Sequence, residues 1–76
     1  MTLETATIDK SYRIMSLEDI DEALKARLFQ FGLVPGSIVR LKRKAPLFSD
    51  PFLIEVSGSQ IVISKEHARV VGIEEI

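Results

Sequence analysis

The sequence predicts a mainly β fold with one α-helix: a small, partly open SH3-like barrel of about five strands, with the helix packed across it. Three observations carry this. Apolar and polar residues alternate in several short stretches, which is the period of a half-buried strand. Only one stretch, 20–31, repeats its apolar residues at helical spacing. Strands this short in so small a domain leave exposed edges unless the sheet curls toward closure.

In order along the chain, Leu3, Ala6 and Ile8 are candidates to seat the N-terminus on the core. Residues 10–15 alternate, with Tyr12 and Ile14 on one face and Arg13 and Met15 on the other, and predict a strand. Ser16 and Asp19 are candidate helix caps, and acids at 18, 19, 21 and 22 suit the positive end of a helix dipole. The helix is predicted over 20–31. Ile20, Leu24, Leu28 and Phe31 form its buried stripe, Ala23 lies beside it, and Asp21 and Lys25 pair on the outer face. Phe29 lies off the stripe.

The corner Gly32-Leu33-Val34-Pro35-Gly36 is the hinge of the chain. Glycine at 32 can take the left-handed conformation that closes a helix, and Pro35-Gly36 suits a second reversal. Leu33 and Val34, held between the two stops, are directed to the core. A strand follows over 37–44 with Val39 and Leu41 inward, then a loop over 45–51 bracketed by Pro46 and Pro51. Phe52, Ile54 and Val56 alternate with Leu53, Glu55 and Ser57 in the next strand. A turn at Gly58-Ser59 would set Val56 opposite Ile61 and Ile54 opposite Ile63. Ser64 can cap a helical turn over 65–68, and a last strand is expected over about 69–74.

Seventy-six residues make one domain, 1–76, near the lower limit for a core without staples. There is no cysteine, so disulfides and thiolate metal sites are excluded. A net charge of −1 argues against a general nucleic-acid or anionic-membrane binder. No apolar run is long enough to span a bilayer, and Met1-Thr2-Leu3-Glu4-Thr5 lacks the basic start of a signal peptide, so a cytoplasmic location without membrane insertion is expected.

The basic run Arg40-Leu41-Lys42-Arg43-Lys44 has a nucleic-acid look, but without an aromatic platform the solvated face of a strand accounts for it better, and no nucleic-acid partner is expected. His67 is the sole histidine; with Glu66 it is the only weak candidate for a metal ligand, and a surface histidine is the plainer account. A second histidine would have to come from another copy, and homo-oligomerisation is left open. No nucleophile–base pair or phosphate-cradling loop is present, so an enzyme is not expected. The paired acids Glu74-Glu75 read as a solvated end. The loop Pro46-Leu47-Phe48-Ser49-Asp50-Pro51-Phe52 is of more interest, because it sets large apolar residues between two prolines. Either Leu47 and Phe48 fold back as a barrel plug, or they form a preorganised apolar tip for a partner.

Arg27-Leu28, then Phe31-Gly32-Leu33-Val34-Pro35-Gly36, then Ala45-Pro46-Leu47 and Asp50-Pro51 resemble the motifs of the ferrous iron transport protein A family, FeoA. The resemblance covers nearly the whole chain. It departs at Phe31, where the family usually has leucine, and at Phe48-Ser49, where it often has one glycine. It departs also at Asp9, where a turn glycine is common, and at Ile63-Ser64, where Leu-Arg is usual. The resemblance implies an SH3-like, non-enzymatic cytoplasmic accessory of bacterial ferrous iron uptake, without a resident cofactor. Its partner would be the membrane ferrous iron permease that carries a GTPase domain. Leu47, Phe48, Asp50 and Phe52 are then the expected contact, held by the structural residues Gly32, Leu33, Pro35, Gly36, Pro46 and Pro51. The alternative is a small Fe²⁺ sensor or carrier using His67 and carboxylates; the same barrel occurs as the C-terminal domain of iron-dependent repressors.

Overall fold

A computed structural model describes residues 1–17, 20–46 and 48–76. The predicted cap Asp19 and the predicted contact residue Leu47 lie outside the described residues. The chain opens with a 3-10 turn, Leu3–Thr5, followed by β1 (Ser11–Leu17), α1 (Glu22–Gln30), β2 (Ile38–Lys44), β3 (Phe52–Val56), β4 (Ser59–Ile63), a single helical turn α2 (Lys65–Ala68) and β5 (Val71–Glu75). The strands form one antiparallel sheet in the order β4-β3-β2-β1-β5. It curls but does not close, so β4 and β5 remain its two edges.

The inward residues of the strands follow the alternation. Tyr12, Ile14, Val39, Leu41, Phe52, Ile54, Val56, Val71 and Ile73 are all buried in one cluster. In β1 the pairing with β5 shifts between Ile14 and Ser16. This bulge carries the strand to residue 17 and turns Leu17, not Ser16, inward. Ser16 is therefore a strand residue, and the helix cap is Asp21, whose Oδ1 accepts from the Leu24 N–H at 2.8 Å. Its carboxylate is occupied in this way instead of in the expected pair with Lys25.

Helix α1 is shorter than its apolar stripe suggests. Leu28 is buried, and Leu24 and Ile20 pack against the core, but Phe31 is the C-cap, with φ −92° and ψ 2°, and is 43% exposed. The helix ends in a Schellman motif: Gly32 N–H donates to the Phe29 carbonyl at 3.0 Å and Leu33 N–H to the Leu28 carbonyl at 3.1 Å. Gly32 sits at φ +89°, and a Cβ there would lie 2.5 Å from Ser57 Oγ. Both the backbone and the neighbour therefore require glycine. Leu33 is fully buried. A turn then closes from Ser37 N–H to the Val34 carbonyl at 3.0 Å, with Gly36 at φ +94°. Ile14 holds this corner to β1 on both sides, accepting from Gly36 N–H at 2.7 Å and donating to the Ser37 carbonyl at 2.9 Å.

Two further boundaries also move from their expected places. The β3–β4 turn is Ser57-Gly58, not Gly58-Ser59, so Val56 pairs with Ser59, Ile54 with Ile61 and Phe52 with Ile63. Both turn residues have positive φ, 51° and 79°, as a two-residue turn matched to strand twist requires. The shift is two residues, an even number, so the same side chains still face inward. β5 begins at Val71, because Arg69 is the C-cap of α2 and Val70 N–H still bonds to His67. At the N-terminus Leu3 and Ala6 are buried, while Ile8 is exposed.

Candidate functional site

The loop after β2 is closed at its root by Ala45 N–H donating to the Pro51 carbonyl at 2.9 Å. Asp50 Oδ1 accepts from the Lys65 N–H at 2.9 Å, which ties the loop to the start of α2 and places a carboxylate near that free backbone donor. Ser64 Oγ satisfies the donor two residues on, accepting from His67 N–H at 3.1 Å. At the tip, Phe48 and Ser49 have φ of 61° and 53°. Two successive non-glycine residues in the left-handed region cost on the order of 1–2 kcal/mol each, so the anchors at Ala45 and Asp50 hold a shape the chain would not adopt alone. Pro46 and Pro51 line a shallow concavity of about 360 Å³ at the loop root with Arg43, Leu53 and Val62.

The expected contact residues separate into different roles. Phe48 is 82% exposed, the most exposed large apolar side chain among the described residues. It does not plug the barrel. Phe52 does: it is 1% exposed, with Lys44 Nζ 5.1 Å from its ring centroid. Burial takes Phe52 out of the expected contact set, because the even register of β3 directs it to the core along with Ile54. Asp50 is exposed but committed to α2. Of the expected contact, the free apolar surface among the described residues is Phe48.

The basic run on β2 is largely used by the fold. Lys44 Nζ donates to the Glu4 carbonyl at 3.2 Å, Arg40 Nε donates to Ser11 Oγ at 3.4 Å, and Lys42 lies 3.9 Å from Asp9. Asp9 itself stands at φ +68° in the turn before β1. His67 is half-buried beside α1, while Glu66 is exposed. Among the described residues no three histidine or carboxylate side chains gather as a metal site. A lone imidazole next to one exposed acid does not fit a resident transition metal.

One feature was not legible in the sequence. Between α1 and the β4–α2 segment runs a groove lined by Leu24, Arg27, Phe31, Ile61, Val62 and His67. Its walls come from segments distant in sequence, and the only local hint is Arg27, which falls one turn after Leu24.

Comparison with known proteins agrees with the architecture. A family model described as the FeoA domain matches residues 1–75. A Helicobacter pylori protein named "Putative Fe(2+) transport protein A" is 31% identical over 78 residues, covering 99% of this chain and 95% of its own length. Among solved structures, iron(II) transport protein A from Clostridium thermocellum superposes with a TM-score of 0.90 at 29% identity; it covers all of this chain, which spans 46% of that one. FeoA from Stenotrophomonas maltophilia, solved in complex with zinc and described as a prokaryotic SH3 domain protein, gives 0.83 at 28% identity, over 97% of this chain and 89% of that one.

Proposed function

The chain belongs to the FeoA family, and from that premise we propose that it is a non-enzymatic cytoplasmic accessory of ferrous iron uptake which docks on the cytoplasmic part of the GTPase-bearing iron permease. The FeoA family is associated with ferrous iron transport, and no described helix is long and apolar enough to cross a membrane. The observation that carries the docking reading is Phe48. A large apolar side chain is held out to solvent on a loop braced at Ala45–Pro51 and at Asp50–Lys65, so little conformational freedom is lost when a partner covers it.

The test is a pull-down of wild type and Phe48→Ala against membranes carrying the cognate permease, with GTP or GDP present. Capture lost in the variant, with an unchanged circular dichroism spectrum, supports docking through the tip. Equal capture of both moves the contact elsewhere, and capture of neither in any nucleotide state removes the docking reading.

A further inference from the structure

We propose that β4 and α1 together form a strand-addition site, which accepts an extended partner segment with alternate apolar residues and an acidic residue. The site is separate from the Phe48 tip. With a two-residue turn at 57–58, Val56 and Ser59 are a hydrogen-bonded pair, and so are Ile54–Ile61 and Phe52–Ile63. The N–H and C=O groups of Gln60 and Val62 therefore point away from β3, along the outer edge of the sheet. Neither residue makes a further backbone hydrogen bond among the described residues. Val62 is 66% exposed.

Edge strands are normally blunted by charge, proline or a covering segment. β4, Ser59-Gln60-Ile61-Val62-Ile63, has none of the first two, and its neighbour is a groove in place of a cover. A strand laid on Gln60 and Val62 would present alternate side chains to Leu24, Phe31 and Ile61 in that groove, which is the pattern of main-chain affinity with side-chain selection.

Charge selects the occupant. Arg27 lines the groove and has no carboxylate within ion-pair distance among the described residues. Asp21, which shares that wall, spends its carboxylate on the Leu24 N–H. An acidic residue in the added strand would meet Arg27 in a partly desolvated place. A second copy pairing β4 on β4 would bring no acid there, since β4 carries none.

The probe is a phage-displayed library of random short peptides, panned on the full chain. Captured sequences are then synthesised and titrated against wild type, Val62→Pro and Arg27→Glu. Proline at 62 deletes an N–H that the β3 ladder does not use. Arg27 is exposed, so Arg27→Glu keeps the test decisive even where Val62→Pro fails to fold. The expected result is a consensus of alternate apolar residues with Asp or Glu, affinity weakened at least about tenfold by either substitution, slowed amide exchange at Gln60 and Val62, and no change with Phe48→Ala. The proposal is overturned by no enrichment, by a consensus without an acid, or by binding that survives both substitutions. It is also overturned by self-association that Val62→Pro abolishes in the absence of peptide capture, which would assign the edge to a second copy.

Discussion

The two edges of the sheet are treated differently. At β5 the N-terminus lies over the edge: Thr2 bridges to Gly72, and Ile73 N–H donates to the Met1 carbonyl at 2.9 Å. Leu3 is fully buried beneath this cover, and Arg69 Nε holds Glu4 at 2.8 Å. The far end of the strand carries Glu74 and Glu75, paired to Arg13 and Lys10 across β1. At β4 the strand is uncharged, Val62 is open to solvent, and the backbone of Gln60 and Val62 has no outward partner among the described residues. One edge is covered at Gly72 and Ile73 by the chain itself, while the other has no such cover among the described residues. Among the described residues the uncovered edge is β4, the side on which the proposed partner strand would add.

Substitutions should separate the edges by size of effect. The largest is expected at the cover. Leu3→Ala removes a fully buried side chain and loosens the segment that lies on β5, and should cost about 3 kcal/mol in urea unfolding. A loss below a third of that would mean the cover is loosely held and the contrast between the edges is weaker than the geometry suggests. On the open edge, Val62→Lys should change stability by no more than about 0.5 kcal/mol in the same assay, since its side chain meets solvent. A large loss there would show that β4 is already covered.

The smallest effect concerns the ion pair that ends the covered edge. The hydrogen bond that Lys10 Nζ donates to Glu75 chiefly raises its ammonium above the ordinary value, against an opposing desolvation. A raised folded value means the contribution is complete below the ordinary lysine range and is lost as pH climbs through the raised one. Both side chains are exposed, so salt screens the pair. Lys10→Met should therefore lower Tm slightly at neutral pH and low salt, and the gap to wild type should vanish at high salt or strongly alkaline pH. A gap that persists under either condition would assign the loss to packing of the lysine stem over Tyr12, whose ring centroid lies 5.8 Å from Nζ.

Much of the fold was readable from local pattern. Alternation found the inward faces of β1, β2 and β3, and glycine and proline found the corner at 32–36 with its two reversals. Ser64 was legible as a cap because a hydroxyl before a helical turn has few other uses. Phe31 was misread because its spacing fits the stripe, while the Schellman closure at Gly32 ends the helix before it. Phe52 was misread as a contact because it follows the loop in sequence, although its parity with Ile54 and Val56 already placed it inside. The hairpin turn was displaced because Ser57 adopts a positive φ that its residue type gives no reason to expect.

By itself, the sequence determined which residues seek the core, where the helix must stop, and the family to which the chain belongs, because these depend on spacing and on residues with restricted or unusual backbone freedom. Only the tertiary structure decided what is left exposed. Phe48 and Phe52 are the same residue type four positions apart, yet one is a solvent-facing tip and the other a plug. The two edge strands likewise differ in what the rest of the chain lays beside them, beyond the charges they carry themselves. Burial and edge pairing are set by non-local neighbours, which no local pattern specifies.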